Sequence, residues 1–169
     1  LARFAVQSEL FGDLVWLRIA PSRGGGLVVF QPGTGEARYL NMTPGNGSLP
    51  SMRVNDMELD KDGFLWLATD AGVTVITNPF TITGDINAVE PVFEGRPLLI
   101  DEEVTAIGVD GGNRKWIGTG SGAWLFDPAA DALLLRFTAS TSPLPSNDII
   151  ALGIDGKKGE VFFGTPAGL

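Results

Sequence analysis

Several short stretches of this sequence carry residue types that could do chemistry. Gly118-Thr119-Gly120-Ser121-Gly122 comes after an apolar run and has the composition of a phosphate-cradling loop. A dinucleotide loop must open a helix whose N-terminal amides face the pyrophosphate. The next residues are Ala123-Trp124-Leu125-Phe126, another strand-like run, so the stretch reads as a turn. Gly156-Lys157-Lys158-Gly159 lacks the leading Gly spacing and the Ser/Thr of a phosphate loop and reads as a solvated hairpin turn. Asp60-Lys61-Asp62-Gly63 is half of a calcium loop, without the further oxygen ligands and distal Glu that the full loop needs. Asp101-Glu102-Glu103 is the densest acidic run. Glycoside hydrolysis needs two carboxylates opposed across a sugar, about 5–10 Å apart. Adjacent residues meet that only with partners from elsewhere, and the run reads as linker.

Composition narrows the chemistry further. With 0 His and 0 Cys there is no Ser-His-Asp triad, no thiolate zinc site, no disulfide and no Cys nucleophile. A net charge of −8, with basic residues only single or paired (Arg114-Lys115, Lys157-Lys158), argues against nucleic acid, which draws its affinity from Lys and Arg on phosphates. Hydrophobic residues at 44% against 19% charged make the chain globular. No apolar run approaches the roughly 18 residues that span a bilayer, so this segment is not membrane-spanning. Leu1 opens in mid-pattern, and no targeting signal is readable. No catalytic constellation, cofactor site or metal site is expected.

The elements that must position any site repeat. Gly63-Phe64-Leu65-Trp66-Leu67-Ala68-Thr69-Asp70-Ala71-Gly72 returns around Trp116 and again around Phe162. Trp66, Trp116 and Phe162 step together with Thr69, Thr119 and Thr165 and with Gly72, Gly122 and Gly168, each series by 50 and then 46 residues. Trp16 stands fifty residues before Trp66, in a degenerate first copy with Ile19 at the Thr position. Between the anchors, 23 Gly and 11 Pro cut the chain into runs of four to seven Val, Ile, Leu, Phe and Trp, with no helical periodicity. Strands are expected over 3–8, 14–19, 26–32, 37–40, 54–59, around Trp66, over 73–77 and 91–93, over 104–109, around Trp116, and over 123–127, 133–137, 149–154 and 161–165. Four short strands every 45–50 residues make a propeller blade. A sandwich of about twelve strands explains the strand lengths equally well but gives no reason for the repeat. The expected fold is therefore all-β, as β-propeller blades of four antiparallel strands, about three and a half in number. The blades are placed at 1–47, 48–99, 100–141 and 142–169, the last incomplete. In that frame the second-strand aromatics fill the wedge between blades. Asp60, Asp110 and Asp155 end the first strands, where a carboxylate can bond its own turn.

The repeat, Asp-x-x-Gly-x-Leu-Trp-Ile-Gly-Thr-x-x-Gly-Leu with a trailing Asp/Asn-Pro, resembles the two-component regulator propeller repeat of Bacteroidetes, found in periplasmic sensors. Asp110–Thr119, Phe137–Asn147 and Gly159–Thr165 carry a closer likeness, to the PorZ-like propeller proteins of the type IX (Por) secretion system. The resemblance implies a periplasmic or cell-surface protein with rings of about seven blades. It also implies a non-enzymatic role beside the sortase that attaches cargo to anionic lipopolysaccharide, with that glycolipid or secretion-system proteins as partners. The alternative is a propeller that senses glycan fragments for a hybrid two-component regulator. The remaining blades of a parent ring, or a second copy, are further expected partners. The connections after each second strand and the linkers between blades fall on one face of the disc. That face is expected to collect Arg23, Asp70, Arg96, Asp101, Glu102, Ser121 and Asn147, and to hold the binding site.

Overall fold

The computed structural model describes residues 5–169. Strands β1 (Ala5–Phe11), β2 (Leu14–Ile19), β3 (Leu27–Gln31) and β4 (Glu36–Leu40) form the first antiparallel sheet in chain order. The second sheet holds β6 (Val54–Leu59), β7 (Leu65–Thr69), β8 (Gly72–Ile76) and β9 (Ile86–Val89), with the two-residue β5 (Asn46–Gly47) added parallel to β9. A small hairpin of β10 (Val92–Phe93) and β11 (Arg96–Pro97) precedes the third sheet. That sheet is β12 (Val104–Val109), β13 (Lys115–Thr119), β14 (Gly122–Phe126) and β15 (Leu133–Phe137), again in chain order. Two strands, β16 (Ala151–Asp155) and β17 (Glu160–Gly164), make a half sheet. A single 3-10 turn, Pro21–Arg23, is the one helical element among the described residues. Among the described residues these make three four-stranded propeller blades and two strands of a further one.

The middle strands show why the sequence reads as continuous apolar runs. Every residue of β7, β8 and β13 is buried, because a strand inside a blade has neighbours in its own sheet and a packed blade on each face. Trp16, Leu27 and Val29 pack with Met57, Leu65 and Leu67 between the first two blades. Trp66 and Val75 pack with Ile107, Ile117 and Phe126 between the second and third. Trp116 meets Phe163 of the half blade, ring centroids 5.7 Å apart. Trp16, Trp66 and Trp116 thus fill successive wedges, at 0%, 4% and 8% exposure. Phe162, on the opposite side of β17 from Phe163, is 46% exposed among the described residues.

The inner strands carry a second device that repeats. The pairings β6–β7 and β12–β13 each slip in register at the same point, between Val54 and Asp56 and between Val104 and Ala106. The residue at each slip is turned toward the next unit. Asn55 Nδ2 donates to the Val104 carbonyl at 2.8 Å, and the Thr105 hydroxyl donates to the Ile149 carbonyl. Each bulge therefore ties the inner strand of one blade to the chain entering the next.

Two strand expectations need correction or limits, and one strand was not expected. The first strand lies at Ala5–Phe11, and residues 3 and 4 of the expected 3–8 fall outside the described residues. The outer strand of the second blade is Ile86–Val89, whereas 91–93 feeds the β10–β11 hairpin. Glu94 and Gly95 turn that hairpin with φ of 51° and 76°, a primed turn that usually takes Asn-Gly, so Glu94 hid it. The added strand β5 is too short to have a sequence pattern of its own.

Candidate functional site

Two recurrent turns hold the two faces of the disc. On one face, Asp60 Oδ1 accepts the amides of Asp62 and Phe64, both at 2.9 Å, while its Oδ2 accepts the Trp66 indole at 2.7 Å. Asp110 repeats this with Gly112, Arg114 and Trp116 at 2.8, 3.0 and 3.1 Å. Asp155 keeps the turn bonds, to the Lys157 and Lys158 amides, but Phe162 offers no indole. Each of the first two carboxylates both closes its turn and orients the wedge aromatic. Burial pushes the Asp60 carboxyl up, but bonds from the Phe64 amide, the Trp66 indole and Lys115 outweigh it and hold it below the ordinary value. Asp110 is lowered in the same way, with burial opposed by the Arg114 amide, the Trp116 indole and the Arg114 side chain.

Lys115 occupies the wedge beneath Asp60. Its ammonium lies 3.1 Å from Asp60 Oδ2, donates to the carbonyls of Asn113 and Pro128 at 2.8 and 2.9 Å, and stands 4.8 Å from the Trp66 ring centroid. Both side chains of the pair are buried. The sequence places Lys115 beside Arg114 as an apparent surface pair, and nothing local marks it as interior. Only the register does: Lys115 holds the slot that Leu65 holds one blade earlier.

On the opposite face, the Thr anchors build a second turn. The hydroxyl of Thr69 donates to the Gly72 carbonyl at 2.8 Å and accepts the Ala71 amide at 3.1 Å. Thr119 does the same with Gly122 and Ser121 at 3.2 and 3.1 Å, and Thr165 with Gly168 and Ala167 at 2.7 and 3.2 Å. Blade linkers cross these turns. The Asp70 amide donates to the Arg53 carbonyl at 3.3 Å, the Gly72 amide to Glu102 at 3.2 Å and the Ile149 amide to Thr119 at 3.0 Å.

The linker from the second to the third blade is the most elaborate. Its hairpin and the turn after it enclose a cleft of about 240 Å³ lined by Phe93, Arg96, Leu99, Ile100, Asp101 and Glu102, among others. Leu99 takes φ of 55°, a region that bulky side chains avoid, so the loop is held by its bonds rather than by preference. The amides of Ile100 and Glu102 supply them, donating to Pro97 and Leu99 at 3.2 and 2.9 Å.

Four of the seven residues singled out from sequence meet in this region. Arg96 pairs with Asp101 at 2.7 Å, both exposed, and the Ser121 hydroxyl donates to Glu102 Oε1 at 2.7 Å. Asp70 sits in the exposed turn beside them. Asn147 lies in the next linker, where its Oδ1 accepts the Ala139 amide at 2.7 Å, and Arg23 lies on the 3-10 turn of the first blade. Sequence reasoning passed over Phe93 and Leu99 of the cleft, the Arg53–Glu103 pair at 3.0 Å, and Arg136, whose guanidinium stacks 4.0 Å from the Trp124 ring. Arg136 was legible only as part of an outer strand. Asp101 and Glu102 are engaged by Arg96 and Ser121 rather than opposed across an open site. The arrangement suits recognition by paired donors and acceptors around an apolar floor.

A family model for the two-component regulator propeller matches residues 48–71. No curated protein matches the chain. Among solved structures, PorZ, described as an essential bacterial surface component of the type-IX secretion system of Porphyromonas gingivalis, aligns over 96% of this chain at 25% identity, with a TM-score of 0.81. The extracellular domain of the hybrid two-component system BT3049 from B. thetaiotaomicron aligns over 96% at 21% identity, with a TM-score of 0.69. That of BT4673 from the same organism aligns over 95% at 16% identity, with a TM-score of 0.55. The chain spans 25% of the PorZ chain and 20% of the BT3049 chain. It shares the propeller fold of these proteins. No helix among the described residues is long and apolar enough to cross a membrane.

Proposed function

We propose that the chain is part of a seven-bladed, non-enzymatic propeller at the cell surface or in the periplasm, acting in type IX secretion by binding a glycolipid or a partner protein. The observation that carries this reading is the likeness to PorZ, which extends over 96% of the chain at 25% identity. The linker face is the binding face in this reading. It holds the cleft at Phe93 and Leu99, the Arg96–Asp101 pair and the Glu102–Ser121 bond, and rigid blades support all of them.

The test is binding of the purified chain to vesicles carrying anionic lipopolysaccharide, scored by co-sedimentation. The triple variant Asp70→Ala, Arg96→Ala, Ser121→Ala is expected to retain its thermal midpoint and to bind at least about fivefold more weakly, a change of about 1 kcal/mol. Equal binding by the variant would remove the linker face from the proposal. A second reading, a glycan-sensing propeller of a hybrid two-component regulator, is favoured by the family match at 48–71. Calorimetric titration with neutral oligosaccharides separates the two, because a sensor binds them and leaves the vesicles in solution.

A further inference from the structure

A cavity of about 410 Å³ lies in the wedge between the second and third blades, lined by Asp62, Phe64, Trp66, Val75, Val89 and Pro128 among others. Both its size and its make-up are those of a small-molecule site, with apolar walls and a few polar groups gathered at one end. The polar end is the hairpin turn at 60–63, on the face opposite the blade linkers. Register shows why this wedge stays open. Val29 pairs with Trp16 and Arg38, and Val75 pairs with Trp66 and Val89, so Val89 holds in the second blade the place that Arg38 holds in the first. Arg38 crosses the preceding wedge and sets its guanidinium on the carbonyls of Ile82 and Gly84 in the second blade. Val89 is too short to cross, and it is 56% exposed. Phe80, directly after Pro79, adds a ring edge-on to Phe11 with centroids 6.5 Å apart, whereas Ala129 is the residue that follows Pro128. The first wedge thus holds an apolar stem and a cation from its own chain. The second supplies neither.

The charged end of the cavity is built to accept. The Trp66 indole, the Lys115 ammonium and the amides of Asp62 and Phe64 are all spent on Asp60. Lys115 matches the charge of Asp60, and the Lys61 ammonium is bonded to the Gly111 carbonyl. Asp62 remains. Among the described residues its carboxylate accepts one bond, from Asn113 Nδ2 to Oδ2 at 2.8 Å, of the roughly four that a carboxylate can take. The third blade has Gly112 at this position and Arg114 at that of Phe64, with the guanidinium closed on Asp110 at 2.7 Å. The second blade therefore has a further carboxylate at its turn and an exposed aromatic ring in place of that arginine.

We propose that this wedge is a binding site for a small amine with an apolar body, its ammonium on Asp62 and its body among Phe64, Trp66, Val75 and Val89. Burial of the body supplies most of the affinity, and the carboxylate sets the preference for a cation over an anion of the same shape. Added salt weakens the binding only in part, because it screens the exposed ion pair and leaves the apolar contact intact. The site shares no lining residue with the linker cleft, so the two proposals stand or fall apart.

The probe is phenethylammonium, titrated into the 169-residue chain and followed by NMR at the indole proton of Trp66, one of 4 Trp in the sequence. A saturable shift of that signal is expected, with a Kd of about 1 mM for a ligand of this size. Phenylacetate, an anion of nearly the same shape, is expected to leave the signal in place. Asp62→Asn should weaken the amine at least about fivefold by removing the ion pair. Val89→Arg, which restores the residue of the first blade, should weaken it at least about tenfold by putting a cation of the chain in its place. Asp62 and Val89 are both exposed, so both variants keep the circular dichroism and thermal midpoint of the parent. The absence of a saturable shift at Trp66, equal binding of phenylacetate, or unchanged affinity in either variant overturns the proposal.

Discussion

At the residue scale, the fold rests on a few buried polar groups whose partners are fully specified. Asp60 joins its own turn, the Trp66 indole and the ammonium of Lys115 from the next blade. Removing one partner of such a pair leaves a buried charge, which costs more than the pair contributes. Lys115→Met keeps the volume but strips Asp60 of its cation. It is expected to destabilise by about 3 kcal/mol, the low end for a broken buried pair because three donors to Asp60 remain. Urea unfolding measures this, and a change under about 0.5 kcal/mol would mean that the pair is solvated. The pH dependence rests on the same groups. Asp60 and Asp110 both sit below the ordinary carboxylate value in the folded state. Their contribution is therefore fully present above that value, near pH 4, and is lost as pH falls through the depressed folded values. Unfolding midpoints should be flat from about pH 7 to 5 and fall below about pH 4, with a shallower fall in Asp60→Asn.

At the scale of the element, the second hairpin turn of each blade has a geometry that tolerates little. Gly122 has φ of 128°, and a Cβ there would stand 2.3 Å from the Phe137 carbonyl oxygen at the end of the outer strand. Gly168 has a similar φ of 124° with open space around it. Gly122→Ala therefore meets both strain and a backbone clash, whereas Gly168→Ala meets strain alone. Backbone strain of this kind is on the order of 1–3 kcal/mol. Gly122→Ala should exceed Gly168→Ala by at least about 1 kcal/mol in thermal unfolding. Equal losses would show that β15 yields to make room. Both positions were legible as turn glycines from the repeat; which one the outer strand crowds was not.

At the scale of the whole molecule, protection should decline along the chain. The second and third blades share a wedge filled from both sides and are tied by the Asn55 and Lys61 contacts to Val104 and Asn113. Among the described residues the half blade packs on the third blade through Phe163, and β17 pairs with β16 alone. Amide exchange in β7, β8 and β13 should be slowest, with β17 faster by at least about tenfold, because its edge amides open without unfolding a blade. Uniform protection would instead indicate that the edge is covered in solution.

The repeating anchors were readable from sequence because each acts within its own hairpin. Asp60 binds residues two to six positions away, and Thr119 binds residues two and three away, so spacing alone exposes them. From these came the all-β architecture, the blade number and the two sets of turns. Contacts between distant segments needed the tertiary structure. Arg38 reaches Gly84 from a neighbouring blade, Lys115 reaches Asp60 across 55 positions, and Ser121 reaches Glu102 in a linker. The same holds for the outer strand of the second blade, whose place at Ile86–Val89 is fixed by pairing with β8 rather than by a local pattern, because a strand's partner is chosen by the packing of whole blades.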